Sequence, residues 1–216
     1  AVLPGNSFYG PVLTKVETNE KVMALTFDDG PYSPYTEQLL EVLDKEQVKA
    51  TFFIVGEKAL QKPELVRKVQ QAGHEIALHS HVHRDQLKLS AEAVADNLAQ
   101  GKAALEGITG VPTKFFRPPH GFKDWTVMAE AEKAHLEVVN WSVIPRDWTN
   151  PGAEVIAQRV VEKTHPGAIV LLHDGDSPQY RASREQTIQA TGKIVRELKQ
   201  QGYRFVTISE LKEIRR

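Results

Sequence analysis

Apolar residues fall along this chain in two alternating arrangements. Short unbroken runs, such as Val22-Met23-Ala24-Leu25, Thr51-Phe52-Phe53-Ile54-Val55 and Ala168-Ile169-Val170-Leu171-Leu172, carry no polar alternation. Runs of that kind are the pattern of strands buried on both faces of a parallel sheet. Further strands are predicted over 74–79, 115–117, 136–141 and 203–207. Between the runs lie longer stretches with apolar residues at helical spacing, such as Leu39, Leu40, Val42 and Leu43, or Leu65, Val66 and Val69. Pro63 fits the first position of one helix and Gly73 its end, and Ser90 is expected to cap a long helix through Val94, Leu98 and Leu105. Other helices are expected over 124–135, from Asn150-Pro151 through Val160, from a Ser183–Gln186 capping box, and after a Ser209 cap. Seven strands alternating with seven helices predict an α/β fold with parallel strands, as a barrel or a doubly wound open sheet. Residues 1–20 have little periodicity and read as an arm or hairpin, and 21–216 read as one domain with no linker to divide it.

Composition narrows the function classes. The 216 residues suffice for one sizeable core. A net charge of −1 leaves no basic footprint for nucleic acid or an anionic membrane surface. No apolar run approaches the ~18 residues that span a bilayer. The absence of cysteine excludes disulfides and thiolate metal sites. The chain starts at Ala1, so a signal or anchor segment is expected to be absent from it. A monomer is the default expectation.

The polar residues that fit plain packing worst collect at one kind of place. Asp28 and Asp29 follow the first strand, and His79, His81 and His83 the third. Arg117 follows the fourth, Trp141, Asp147 and Trp148 the fifth, and His173 and Asp174 the sixth. These are all C-terminal strand ends, which share one face in parallel α/β folds and carry the active sites there. His79 and His83 have a spacing that puts two imidazoles on one metal, with His81 left outside. A carboxylate from Asp28 or Asp29 completes a two-His, one-carboxylate set with open positions, the mark of a catalytic metal. The other aspartate is then placed to take a proton from an attacking water, which leaves open which residue does which. His173 suits a general acid on the far side. Arg117, held by Pro118 and Pro119, needs a buried acid partner, for which Asp147 is the candidate. Trp148 and Leu172 are expected to wall a small apolar pocket. Tyr32, Phe122, Trp125 and Tyr180 fall in loops of the same face, where aromatic rings can stack on sugars.

In this order the motifs resemble those of the NodB-homology polysaccharide deacetylases, carbohydrate esterase family 4. They are Thr26-Phe27-Asp28-Asp29-Gly30, His79-Ser80-x-x-His83, Arg117-Pro118-Pro119-His120-Gly121, Asp147-Trp148 and Leu172-His173-Asp174. The strand–helix rhythm extends the likeness from about Lys21 to Leu211. The resemblance implies a distorted (β/α) barrel that hydrolyses N-acetyl or O-acetyl groups on polysaccharide. It implies Asp28 as general base, and Asp29, His79 and His83 as ligands of one divalent metal, zinc first, with cobalt, nickel or manganese able to replace it. It implies Arg117 and Asp147 as tuning residues, Trp148 and Leu172 as the acetyl pocket, the His120 backbone as oxyanion donor, and His173 as general acid. Tyr32 is expected among the substrate contacts. Two positions depart from the family pattern: His120 replaces a common Tyr, and Ile144 replaces the Asp that commonly opens the fourth motif. The reading is a bacterial, extracellular or wall-associated de-N-acetylase of peptidoglycan or chitin-like oligomers. The alternatives are an O-acetyl esterase on xylan and a carbohydrate-binding protein on a decayed enzyme scaffold.

Overall fold

The computed structural model describes residues 7–176 and 183–214. Tyr180 and residues 1–6 of the arm lie outside the described residues. The centre of the sheet is β1 (Val22–Asp28), flanked by β2 (Thr51–Ile54) on one side and β6 (Ala168–His173) on the other. The sheet continues from β2 through β3 (Glu75–Leu78) and β4 (Phe115–Phe116) to β5 (Glu137–Val138), while β7 (Arg204–Phe205) pairs with the first two residues of β1. Every pairing is parallel. Beyond β5 the chain meets β6, where Ser142 N–H donates to the Ile169 carbonyl and Leu171 N–H to that of Val143. The arm adds a second link between the same strands, through Leu13 on Val138 and Val16 on Gly167. The sheet is thereby curled into a half-barrel.

The unbroken apolar runs have a simple origin, because both faces of each strand are covered. Met23, Leu25, Phe27, Phe52, Ile54, Val170 and Leu172 point outward into a core shared with the helices. Val22, Ala24, Phe53, Ala77, Phe115, Val139 and Ile169 point inward, where Ile208 and Leu211 join them from the last helix. Side chains alternate along a strand, so the inward set continues through Thr26, Asp28, His79, Arg117, Trp141, Leu171 and His173. All the chemistry predicted from the strand ends, apart from the residues beyond the strands, is this one row of positions emerging at the open end of the barrel.

The helices are α1 (Tyr35–Lys45), α2 (Gly56–Gln61), α3 (Pro63–Gln71), α4 (Ala91–Thr109), α5 (Trp125–Lys133), α6 (Ala153–Lys163), α7 (Glu185–Gln200) and α8 (Ile208–Glu213). That is eight among the described residues, not seven. The six residues of α2 are too few to show a helical period. Pro63 opens α3 and the Ser90 hydroxyl caps α4, as expected. The other two caps differ. Ser183 accepts from Glu185 N–H, but Gln186 is drawn away to the Gly152 N–H, so no capping box forms there. The box forms instead at α8, between Thr207 and Glu210, and Ser209 hydrogen-bonds to Glu75. None of the described helices is long and apolar enough to cross a membrane.

Candidate active site and metal centre

Asp28 and Asp29 are consecutive, and a continuing strand would send their side chains to opposite faces. Instead Asp29 leaves the strand with φ at 74°, which brings both carboxylates to the same cavity. This left-handed conformation is uncommon for a non-glycine residue and needs support from its surroundings. Lys58, from α2, supplies part of it, donating from Nζ to the Asp29 carbonyl at 2.7 Å.

Asp29, His79 and His83 form the metal-ligating group found among the described residues, with their ligand atoms within 4.8 Å of one another and all three side chains buried. Asp29 Oδ1 lies 3.4 Å from His79 Nε2 and 3.3 Å from His83 Nε2. That oxygen is buried with no hydrogen-bond partner, a costly state that a cation relieves. His79 Nδ1 meets the Arg117 carbonyl at 2.7 Å, which leaves Nε2 unprotonated and turned to the cluster, the usual outer-sphere arrangement of a metal-binding histidine. Burial lowers the His83 pKa to about 4, so this imidazole is neutral and ready to ligate. Burial pushes the Asp29 carboxyl up, but the hydrogen bond to the nearby His79 ring and the His173 charge outweigh it and hold the group well below the usual carboxylate range. The residues therefore fit a divalent cation.

The loop carrying His83 is held by a residue that the sequence reading missed. Asn97 of α4 accepts from the N–H groups of His81 and Val82 at 2.6 and 3.0 Å. Gly101, one turn on, lets α4 approach this loop closely, since a Cβ there would lie 2.9 Å from the His81 nitrogen. Asn97 is nearly buried on the face that carries Val94, Leu98 and Leu105. A polar residue on such an apolar stripe is the signal that could have found it.

Arg117 is fully buried and does not pair with Asp147. Its Nη1 donates to Asp28 Oδ1 at 2.6 Å and Thr26 Oγ1 at 2.8 Å, and its Nε and Nη2 donate to the carbonyls of Val139 and Asn140. The inward row explains the correction: Asp28 and Arg117 emerge side by side from the barrel interior, whereas Asp147 lies beyond β5, close to β6. There Asp147 accepts from the His173 N–H and meets His173 Nδ1 at 2.8 Å, and Thr187 of α7 donates to it. Burial alone would depress the His173 pKa, but the Asp147 charge and hydrogen bond raise it to about 9. Thus His173 is a cation at neutral pH, and Asp147 is held below its ordinary pKa against its own burial.

The fork of Arg117 cannot be removed cheaply. Replacing it by Ala orphans the buried Asp28 carboxylate and two carbonyls, and breaking a buried ion pair costs about 3–5 kcal/mol. Urea unfolding of Arg117→Ala is expected to show a loss of that size, and Arg117→Lys a smaller loss, since an ammonium cannot serve all four acceptors.

Between the two ion pairs lies a cavity of about 470 Å³, open to solvent, whose lining includes Asp28, Asp29, His79, His83 and His173. Its apolar wall is made by Trp141, Ile144, Trp148 and Leu171. Leu172 does not contribute: by strand parity it points outward and packs in the helix-side core, and Leu171 takes the expected place. Tyr32 is also outside the lining. It stacks on Tyr35 at 5.8 Å and lies under the Lys58 ammonium. His120 does line the cavity, in a left-handed conformation, with its ring edge-on to His83. Ile144 adds apolar surface without unpairing anything, because Asp28 already holds Arg117 and Asp147 already holds His173. Asp174 turns away from the cavity toward Thr36, and its burial raises its pKa to about 7.

The polysaccharide deacetylase family profile matches residues 15–139. A peptidoglycan-N-acetylglucosamine deacetylase of Bacillus cereus is 43% identical over 204 residues, 94% of this chain and 93% of that protein. A crystal structure of a peptidoglycan N-acetylglucosamine deacetylase superposes with a TM-score of 0.87 at 30% identity, over 93% of this chain and 92% of that one. A family 4 acetyl xylan esterase from Clostridium thermocellum, solved with a cobalt ion, superposes with a TM-score of 0.81 at 33% identity, over 89% and 91% of the two chains.

Proposed function

This chain belongs to the polysaccharide deacetylase family, a metal-dependent hydrolase by its triad and its relatives, and we propose that it removes N-acetyl groups from the glycan strands of peptidoglycan or similar GlcNAc polymers. The observation that carries this reading is the pair of buried ion pairs, Arg117–Asp28 and His173–Asp147, facing one cavity beside Asp29, His79 and His83. One pair presents an anion able to accept a proton, and the other a cation able to give one.

Asp29, His79 and His83 would hold the divalent cation, zinc by preference for two imidazoles and a carboxylate. Bound there, the cation supplies Lewis-acid polarisation and makes water more acidic. Asp28, oriented by Arg117, takes the proton of the water that attacks the acetyl carbonyl carbon. The backbone N–H of His120 faces the developing oxyanion. His173, charged and oriented by Asp147, gives its proton to the departing nitrogen. The C–N bond breaks, and acetate and a free amine leave. The acetyl methyl packs against Trp148, Trp141 and Leu171. On this reading 21–216 is the catalytic domain, acting as a monomer outside the cytoplasm where wall glycans lie, with 1–20 as an arm.

Acetate release from GlcNAc oligomers tests the reading. Release is expected to vanish on chelation and to return with zinc or cobalt. Release that persists without metal, or never occurs with any GlcNAc polymer, would overturn it. The likeness to an acetyl xylan esterase makes O-acetyl esters the second reading, which acetylxylan in the same assay decides.

A further inference from the structure

We propose that Tyr9 and Trp125, with Phe8, form a distal glycan-binding subsite that holds the polymer several sugars away from the reacting acetyl group. The proposal rests on the deacetylase reading above and extends it to a surface that the chemistry does not use.

Phe8, Tyr9 and Trp125 form a closed aromatic trio, with ring centroids 5.2, 5.7 and 5.5 Å apart. Phe8 is 68% exposed and Trp125 61%. Large aromatics clustered at the surface are unusual in a soluble protein and mark a contact site. Tyr9 and Trp125 border a groove of about 680 Å³ between the arm and α5, floored by Val12, Met128 and Leu136 and edged by Ser7 and Glu132. An aromatic platform with a few polar groups at its rim matches a pyranose ring, which offers C–H faces and equatorial hydroxyls.

The trio is fixed in place. The arm is tied to the sheet by Leu13, which donates to Val138 and accepts from Asn140. Gly10, at φ 139°, lets the arm lie against Met128 of α5, where a Cβ would come within 3.2 Å of the Met128 methyl. Little ordering cost remains to be met on binding.

Continuity with the active cavity identifies the occupant. His120 and Phe122 line that cavity, with ring centroids 5.3 Å apart. Trp125 is three residues beyond Phe122, at most about 11 Å along the backbone, a span that a few linked sugar rings cover. It opens α5, and helices that follow parallel strands begin at the face where the cavity opens. A glycan with its acetyl group beside Asp28 and His173 thus has an aromatic path toward the trio.

The test is calorimetric titration of the full chain with GlcNAc oligomers from dimer to hexamer, with acetate release read in parallel. Affinity is expected to rise steeply once the oligomer is long enough to reach the trio. Trp125→Ala and Tyr9→Ala are expected to weaken hexamer binding about tenfold and leave the dimer unaffected, and Trp125→Phe to keep most of the step. A wild type without the step, or a Trp125→Ala variant that retains it, overturns the subsite. So does a concentration-dependent dimer of this chain, abolished by Trp125→Ala, which would assign the trio to self-association. Acetate release without the step overturns the subsite alone. The step without release overturns the reaction while supporting the subsite, and neither binding nor release removes both.

Discussion

Asp28→Asn is expected to lose acetate release by a factor of about 10²–10⁴, the usual worth of a positioned general base, while its metal content stays at the wild-type level. The two outcomes are separable because the neighbouring carboxylates have different partners. Asp29 carries the oxygen shared by His79 and His83, whereas the Asp28 oxygen that defines its role is held by Arg117 at 2.6 Å. An Asn side chain still offers an oxygen to the guanidinium, so the fold survives, though Arg117 loses its counter-charge. Asp29→Asn should instead lose metal and turnover together. Elemental analysis beside the rate assay checks both, and Asp28→Asn protein that keeps a tenth or more of wild-type turnover would remove Asp28 as the base. A binding protein on a decayed scaffold has no turnover to lose, so acetate release by the wild type would itself exclude that alternative.

Much of this site was legible because a parallel barrel converts strand order into proximity. Runs ending in Asp28, His79 and His173 have no sequence contact, yet the inward row brings them to one cavity, with Arg117 buried behind Asp28. The errors come from what a linear reading lacks. Leu172 precedes His173 in the motif, but adjacency in a strand means opposite faces, and Leu171 is the wall residue. A buried Arg117 needs an acid partner, and nothing in the linear sequence distinguishes Asp147 from Asp28 in that role. Which acid stands next to which base depends on how the β5–β6 gap closes, and the arm and residues 142–143 do that. Tyr32 sits in a loop of the right face, but the path of that loop was unreadable. Asn97 and Lys58 support the metal centre from helices, through backbone contacts, and carry no motif.

The histidine–aspartate pair gives the other large effect. His173 has its pKa lifted from an ordinary 6.5 to about 9, so its proton is present through neutral pH and is lost as pH rises through about 9. Wild-type turnover is therefore expected to hold through pH 8 and fall on the alkaline side near 9. The pair's contribution to stability has the same sign, since a raised pKa stabilises the fold below 6.5 and the benefit disappears as pH rises through the folded value. In Asp147→Asn the opposing influences separate. Burial, which disfavours the imidazolium, stays, and the charge that outweighed it is gone. The alkaline limb is expected to move down by about two units or more, and activity near pH 8 to drop by about tenfold or more while partly recovering toward pH 6. Asn also retains an oxygen for the Thr187 hydroxyl, so a general loss of structure would lower the rate at every pH without moving the limb. A pH–rate profile of the variant separates the two cases: an unmoved limb would mean that Asp147 only positions the ring, and a limb displaced toward acid would mean that it sets the charge the leaving nitrogen requires.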